Sequence, residues 1–137
     1  MLLTGDARGD HILAGLRDAK LIKNNKFHVD LLKVPHHGSD RNLALEFFET
    51  ITADHYVISA NGKYDNPDTD TLCWIAQARG KDKYTIHLTN QKNGKYPALA
   101  KNLASAYKKA PTLKKNISFR KDSELSLRVD LGDAVTY

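Results

Sequence analysis

The chain has 137 residues, enough for one domain with its own hydrophobic core and too few for two. Its 41% hydrophobic and 27% charged residues exclude a disordered or collagen-like chain, and its single cysteine, Cys73, excludes an internal disulfide. The net charge of +5 would favour an anionic partner such as nucleic acid, but the lysines are scattered and an ordinary solvated surface explains them better.

Predicted strands and helices alternate along most of the chain. Strands are indicated by dense apolar runs, and helices by apolar residues three or four positions apart. No apolar run approaches the roughly 18–20 residues that cross a bilayer, so we expect no membrane contact from this segment. In chain order we predict a strand at 1–4, a helix at 10–19, a strand at 27–34, a helix from Asp40 or Asn42 to Ile51, a strand at 55–60, a helix from 66 to 80, a strand at 84–88 and a helix at 97–109.

The last part of the chain has a different pattern. Apolar and polar residues alternate strictly over 124–131, which predicts a half-exposed strand. Ile117 and Phe119 are expected to pair with it as a hairpin. The whole chain is therefore predicted to be a single α/β (α+β) domain, 1–137, with a mixed sheet and flanking helices. Because it opens directly in a strand, we expect it to be the C-terminal part of a longer domain.

Side chains that can bind metal follow two of the predicted strands. Asp6 comes after the first strand, and His36 and His37 come after the second. In an α/β sheet the carboxyl ends of neighbouring strands meet at one edge, so the carboxylate and the imidazoles can meet there. These residue types bind zinc, manganese or iron. Each also has an ordinary explanation, since Asp6 can cap a turn and the histidines can be surface loop residues.

Three segments together resemble a known family. LLTGD at 2–6, VDLLKVPHHGS at 29–39 and VISANGKYDNPD at 57–68 are similar to the C-terminal half of metallo-β-lactamase-fold hydrolases. The nearest branch is the hydrolase domain of bacterial competence, or DNA-uptake, proteins. The resemblance covers roughly residues 1–90, and the combination of TGD and HHGS is its most specific part.

The resemblance implies a four-layered α-β-β-α sandwich with two divalent ions, zinc or else manganese or iron, at one edge of its sheets. Asp6 would bridge both ions and His37 would bind the second, while His36 would touch the substrate or act as an alternative ligand. The implied reaction is hydrolysis of an ester or phosphodiester by water activated on the metal. Further substrate contacts are expected from Ser39, Lys33 and Asn66.

The sequence departs from the family pattern in two places. The family's main ligand cluster, HxHxDH, does not occur in this chain, and Asn66 stands where the competence branch often has a histidine. We therefore expect the chain alone to bind metal weakly and to be inactive without the missing N-terminal half of the domain. Two alternatives remain open: a basic nucleic-acid-binding module without catalysis, and a structural half-domain that packs on a partner or on a second copy of itself.

Overall fold

The computed structural model describes residues 1–90, 95–121 and 123–132. Helices and strands alternate as the sequence predicts, which confirms the α/β class. Two short 3-10 turns, Pro35–Gly38 and Asp40–Asn42, follow the second strand. The elements are β1 (Leu2–Leu3), α1 (Gly9–Asp18), β2 (Phe27–Lys33), α2 (Leu45–Thr50), β3 (Ile51–Ile58), α3 (Thr69–Arg79), β4 (Thr85–Leu88), α4 (Pro97–Lys109), α5 (Leu113–Asn116) and β5 (Ile117–Phe119).

The five strands form one sheet in the order β1-β2-β3-β4-β5, and all four neighbouring pairs are parallel. The prediction of a mixed sheet is therefore wrong for the part of the chain that the structure describes. Each pair of consecutive strands is joined by a connection that contains a helix, and such crossovers bring the next strand back in the same direction. Crossovers between parallel strands are almost always right-handed, and with sequential strand order this rule puts the helices on one face of the sheet.

The face of the sheet beneath the helices carries the hydrophobic core. Tyr56 and Ile58 of β3 and Ile86 and Leu88 of β4 are completely buried there. They pack in one cluster with apolar residues of the helices, such as Leu72 of α3. Among the described helices, none has the length and apolar character needed to cross a bilayer.

The opposite face, which we call the open face, is different. One cross-strand row of the sheet defines it, and none of its members belongs to the hydrophobic core that the structure describes. Most of these side chains are half-exposed or exposed, and Leu3 is 67% exposed. The row consists of Leu3, Lys33, Val57, His87 and Ser118.

The predicted hairpin at the end of the chain is wrong. β5 pairs in parallel with β4, and the described residues between 123 and 132 contain no strand. Arg120 holds the chain that follows β5, because its backbone N–H donates to the Leu88 carbonyl and its guanidinium donates to the carbonyls of Thr89 and Glu124. The alternation over 124–131 therefore predicts a strand, but no strand forms there, and these residues have no ladder partner in the described structure.

The boundary between α2 and β3 also differs from the prediction. Asp40–Asn42 forms a 3-10 turn instead of capping the helix, which occupies Leu45–Thr50. Ile51 begins the strand and pairs with Phe27, so β3 starts four residues earlier than predicted. Ile51 is β-branched, and its ladder partner Phe27 belongs to β2. The branched side chain and the pairing both favour extended backbone over helix at this position.

Candidate functional site

The three predicted metal ligands lie at the carboxyl ends of the first two strands. Asp6 lies three residues after β1, and His36 and His37 lie in the turn that follows β2. The two loops are joined directly, because the backbone N–H of His36 donates to the carbonyl of Gly5 at 3.0 Å. Parallel pairing of β1 with β2 therefore brings together residues that are about 30 positions apart in sequence.

Of the candidate metal ligands, Asp6 and His37 are in contact. Oδ1 of Asp6 lies 3.7 Å from Nε2 of His37, and both side chains are about half exposed or more. On its other side the His37 ring donates from Nδ1 to the carbonyl of Ser59 at 2.6 Å. In the neutral ring Nε2 then carries the lone pair and faces the carboxylate. Two acceptors that face each other at this distance attract a proton or a cation between them.

His36 is held in the opposite tautomer. The side-chain amide of Asn42 donates from Nδ2 to Nδ1 of His36 at 2.7 Å, so in the neutral ring the proton is on Nε2. The rings of His36 and His37 lie edge to face with centroids 6.3 Å apart. His37 therefore offers a lone pair, as a metal ligand does, whereas His36 offers an N–H donor.

The backbone of this turn adopts an unusual conformation. His36, His37 and Gly38 have φ angles of 47°, 58° and 81°, all in the left-handed region. Residues other than glycine pay about 1–2 kcal/mol each to adopt it. The turn is held from outside, since the Gly38 carbonyl accepts from the Asp68 N–H at 3.0 Å and a Cβ on Gly38 would lie 2.9 Å from Cβ of Pro67. Strain of this kind concentrates at functional sites.

The three residues predicted to contact substrate lie in different surroundings. Asn66 lines a cavity together with His37. Lys33 donates from Nζ to the carbonyl of Val34 at 2.9 Å, and burial lowers its pKa while the nearby Asp6 carboxylate opposes that shift. Ser39 is only 6% exposed. Of the three, only Asn66 lies on the wall of the cavity beside His37.

This cavity has a volume of about 280 Å³ and lies where the loop after β3 meets the histidine turn. Sequence reasoning missed most of its wall, and it also missed Asn42 and Ser59, which orient the two histidines. The sequence did contain a signal for this wall. The segment after β3 follows a parallel strand and therefore reaches the same edge of the sheet as Asp6. The wall consists of His37, Ser59, Ala60, Asn61, Gly62, Lys63, Tyr64, Asn66 and Asn90.

The donor set at this edge fits part of a divalent-cation site. A zinc ion binds histidine nitrogen at about 2.0–2.1 Å and carboxylate oxygen at about 2.0–2.2 Å, and the sum of these distances exceeds the 3.7 Å between His37 Nε2 and Asp6 Oδ1. One ion can therefore contact both atoms. Within residues 1–90, 95–121 and 123–132, no group of three or more His, Cys, Asp or Glu side chains is arranged to hold a metal ion.

The chain was also compared with known proteins. No family model, curated protein or solved structure matches it. The metallo-β-lactamase relationship indicated by its motifs therefore stays a prediction.

Proposed function

We propose that this chain contributes half of a metal-dependent hydrolytic site of the metallo-β-lactamase type. The observation that supports this proposal best is the contact between Asp6 and His37, in which a carboxylate oxygen and an imidazole lone pair face each other at 3.7 Å. The orientation of His37 by the Ser59 carbonyl adds to it, because histidine ligands commonly donate their second nitrogen to a backbone carbonyl.

The residues at this edge of the sheet would have different roles in hydrolysis. Asp6 and His37 would hold the cation, which when bound lowers the pKa of water and polarises an ester or phosphodiester group. His36 would donate from Nε2 to the oxygen on which negative charge develops, since a donor fixed at that place stabilises the transition state. Asn66, on the cavity wall, would orient the substrate.

Two protein donors do not complete a catalytic metal site, which uses at least three protein ligands for each ion. We propose that the remaining ligands come from the N-terminal half of a larger domain that contains this chain. Such a layer would also cover the open face, which all-parallel sheets seldom leave exposed. A nucleic acid or another phosphoester is the substrate we propose.

A second candidate function has its own support. The exposed Leu3 and the half-buried Val57 on the open face would suit a structural half-domain that packs on a partner or on a second copy. Sedimentation over a range of concentrations distinguishes a partner from a second copy on the open face. Packing on a second copy requires dimers whose amount rises with concentration.

The test of the hydrolase is made on the full-length gene product that contains this chain. We expect it to hydrolyse bis(p-nitrophenyl) phosphate or p-nitrophenyl acetate in the presence of zinc or manganese. Asp6→Asn should lower kcat/KM by more than about 100-fold, which is the upper end of the loss expected for residues outside the ligand shell.

The matched control is Asp54→Asn, which alters a carboxylate 3.5 Å from another exposed histidine, His28. This variant should stay within about twofold of the unaltered protein. Equal losses in the two variants, or no hydrolysis of either ester, would contradict the proposed function.

A further inference from the structure

We infer that the cavity beside His37 binds an oxyanion group of the substrate, a phosphate or a carboxylate, and that Lys63 is the main contact for it. This inference rests on the proposed function and names the chemical class of its substrate. It is carried by the charge of the cavity wall, the way the loop around it is fixed, and its position next to the Asp6–His37 contact.

The wall of the cavity is suited to an anion. It carries one ammonium group, on Lys63, and three side-chain amides, and none of its members is an aspartate or a glutamate. The ammonium lies 4.9 Å from the ring centroid of Tyr64, and none of the ion pairs found among the described residues includes it. A bound oxyanion would give Lys63 the charged partner that the described structure does not provide.

The loop that carries Lys63 is fixed before any ligand arrives. Gly62 packs so closely on α4 that a Cβ there would lie 2.8 Å from the backbone nitrogen of Leu99. Asn102 of α4 donates from Nδ2 to the carbonyl of Pro67 at 3.1 Å and also to the carbonyl of Asp65. A preformed pocket loses less entropy on binding than one that must be ordered by its ligand.

The position of the cavity indicates how the substrate would be oriented. His37 belongs both to its wall and to the contact with Asp6, so a group bound in the cavity lies next to the proposed hydrolytic centre. Tyr64 is 75% exposed and offers a flat apolar surface at the same wall. The substrate we infer therefore carries its oxyanion at Lys63 and an apolar or aromatic body against Tyr64.

The experiment is a titration of the ¹⁵N-labelled chain, followed by its amide NMR signals, in buffer with EDTA. The probes are phenyl phosphate, phenylacetate and the uncharged benzyl alcohol. We expect the anions to shift the signals of residues 59–66 and to bind at least about tenfold more tightly than benzyl alcohol, as a charged hydrogen bond in place of a neutral one implies. The tighter of the two anions identifies the group as phosphate or carboxylate.

Lys63→Gln should weaken binding of the preferred anion about tenfold. The matched control is Lys95→Gln, because Lys95 forms the same kind of pair with its neighbouring tyrosine, at 5.6 Å from the Tyr96 ring centroid, and neither residue is part of the cavity wall. This control removes the same charge and should change the affinity less than twofold. Equal effects of the two variants, or equal binding of benzyl alcohol, would overturn the inference.

The same titration separates this inference from the proposed function. Anion binding in EDTA that depends on Lys63, together with equal losses of activity in Asp6→Asn and Asp54→Asn of the full-length product, would refute the hydrolase and leave the anion site standing. Anion binding that appears only after zinc is added and does not depend on Lys63 would refute the anion site and support the metal site.

Discussion

Among the described residues, two histidine rings lie within 4 Å of an aspartate carboxylate, and the surroundings of the two contacts are very different. Asp6 and His37 meet at 3.7 Å at the carboxyl end of the sheet, and His28 and Asp54 meet at 3.5 Å on β2 and β3. All four side chains are about half exposed or more. By distance and exposure alone the two contacts are equivalent, so neither of these properties identifies a functional site.

What separates the two contacts is their surroundings. Asp54 is already 3.6 Å from the guanidinium of Arg79, which neutralises it and repels a second cation, and His28 sits on regular extended backbone. His37 instead lies in a left-handed turn and beside a cavity, and among the described ion pairs its carboxylate partner contacts no arginine or lysine. Backbone strain, and a carboxylate that forms no ion pair with arginine or lysine among the described residues, distinguish the candidate site from an ordinary surface pair.

The largest effect should come from Gly38→Ala in the strained turn. A Cβ at φ 81° that lies 2.9 Å from Cβ of Pro67 adds left-handed strain and a steric clash. We expect the free energy of unfolding to fall by about 2–4 kcal/mol in urea denaturation.

The matched control for this variant is Gly15→Ala in α1, where an added Cβ has no neighbour within 4 Å. It should stabilise the chain by about 0.5–1 kcal/mol, because alanine favours helix over glycine. Similar effects at both positions would mean that the histidine turn is not under constraint.

A smaller loss of folding stability is expected when Arg79, the cation beside the contact between His28 and Asp54, is removed. Arg79 is 8% exposed and donates to the Lys83 carbonyl at 2.9 Å while facing Asp54. Arg79→Ala should lower the free energy of unfolding by about 2–3 kcal/mol, because a buried charged hydrogen bond is lost. Arg17→Ala, which breaks an exposed pair with Glu46, should cost less than about 1 kcal/mol in the same denaturation experiment. Equal costs would show that Asp54 is not held by a structural cation.

The smallest effect should come from a third histidine contact, which has no carboxylate. His87 lies on the open face with Nε2 at 3.0 Å from Nδ1 of His55, and burial, followed by the nearby His55, lowers the pKa of His87. The unfolded chain then binds more protons than the folded one below pH about 6.5, so stability falls as the pH falls through that range.

The measurement is urea denaturation at several pH values between 7.5 and 5.5. His87→Gln should flatten the pH dependence, and His11→Gln, which alters an exposed histidine, should leave it unchanged. A pH dependence that persists in His87→Gln would show that the contact between His55 and His87 does not affect stability.

The sequence predicts the alternation of elements well, because dense apolar runs and helical spacing both reflect burial against the same core. It also predicts the approach of Asp6 to His37, since that follows from the parallel pairing of β1 with β2. It fails at residues 124–131, where alternation is present but the ladder partner is not. The alternation of apolar and polar residues shows which face of a segment is apolar. Whether the segment pairs as a strand depends on which other strand lies beside it.

The details of the site were less accessible from sequence. The left-handed turn, the hydrogen bond from His37 to the Ser59 carbonyl and the donor from Asn42 to His36 depend on tertiary packing around Gly38. No local pattern specifies which nitrogen of a histidine carries the proton. The roles of His36 and His37 therefore became distinguishable only through their hydrogen-bond partners.

The most direct test of the Asp6–His37 cation site is the ¹H–¹⁵N NMR spectrum of the histidine rings at pH 8 during a zinc titration. Before zinc is added, we expect the proton of His37 on Nδ1 and that of His36 on Nε2. Zinc should then shift Nε2 of His37 and leave His28 unchanged, and Asp6→Asn should abolish the shift. Equal responses of His28 and His37, or a His37 ring protonated on Nε2, would contradict the account.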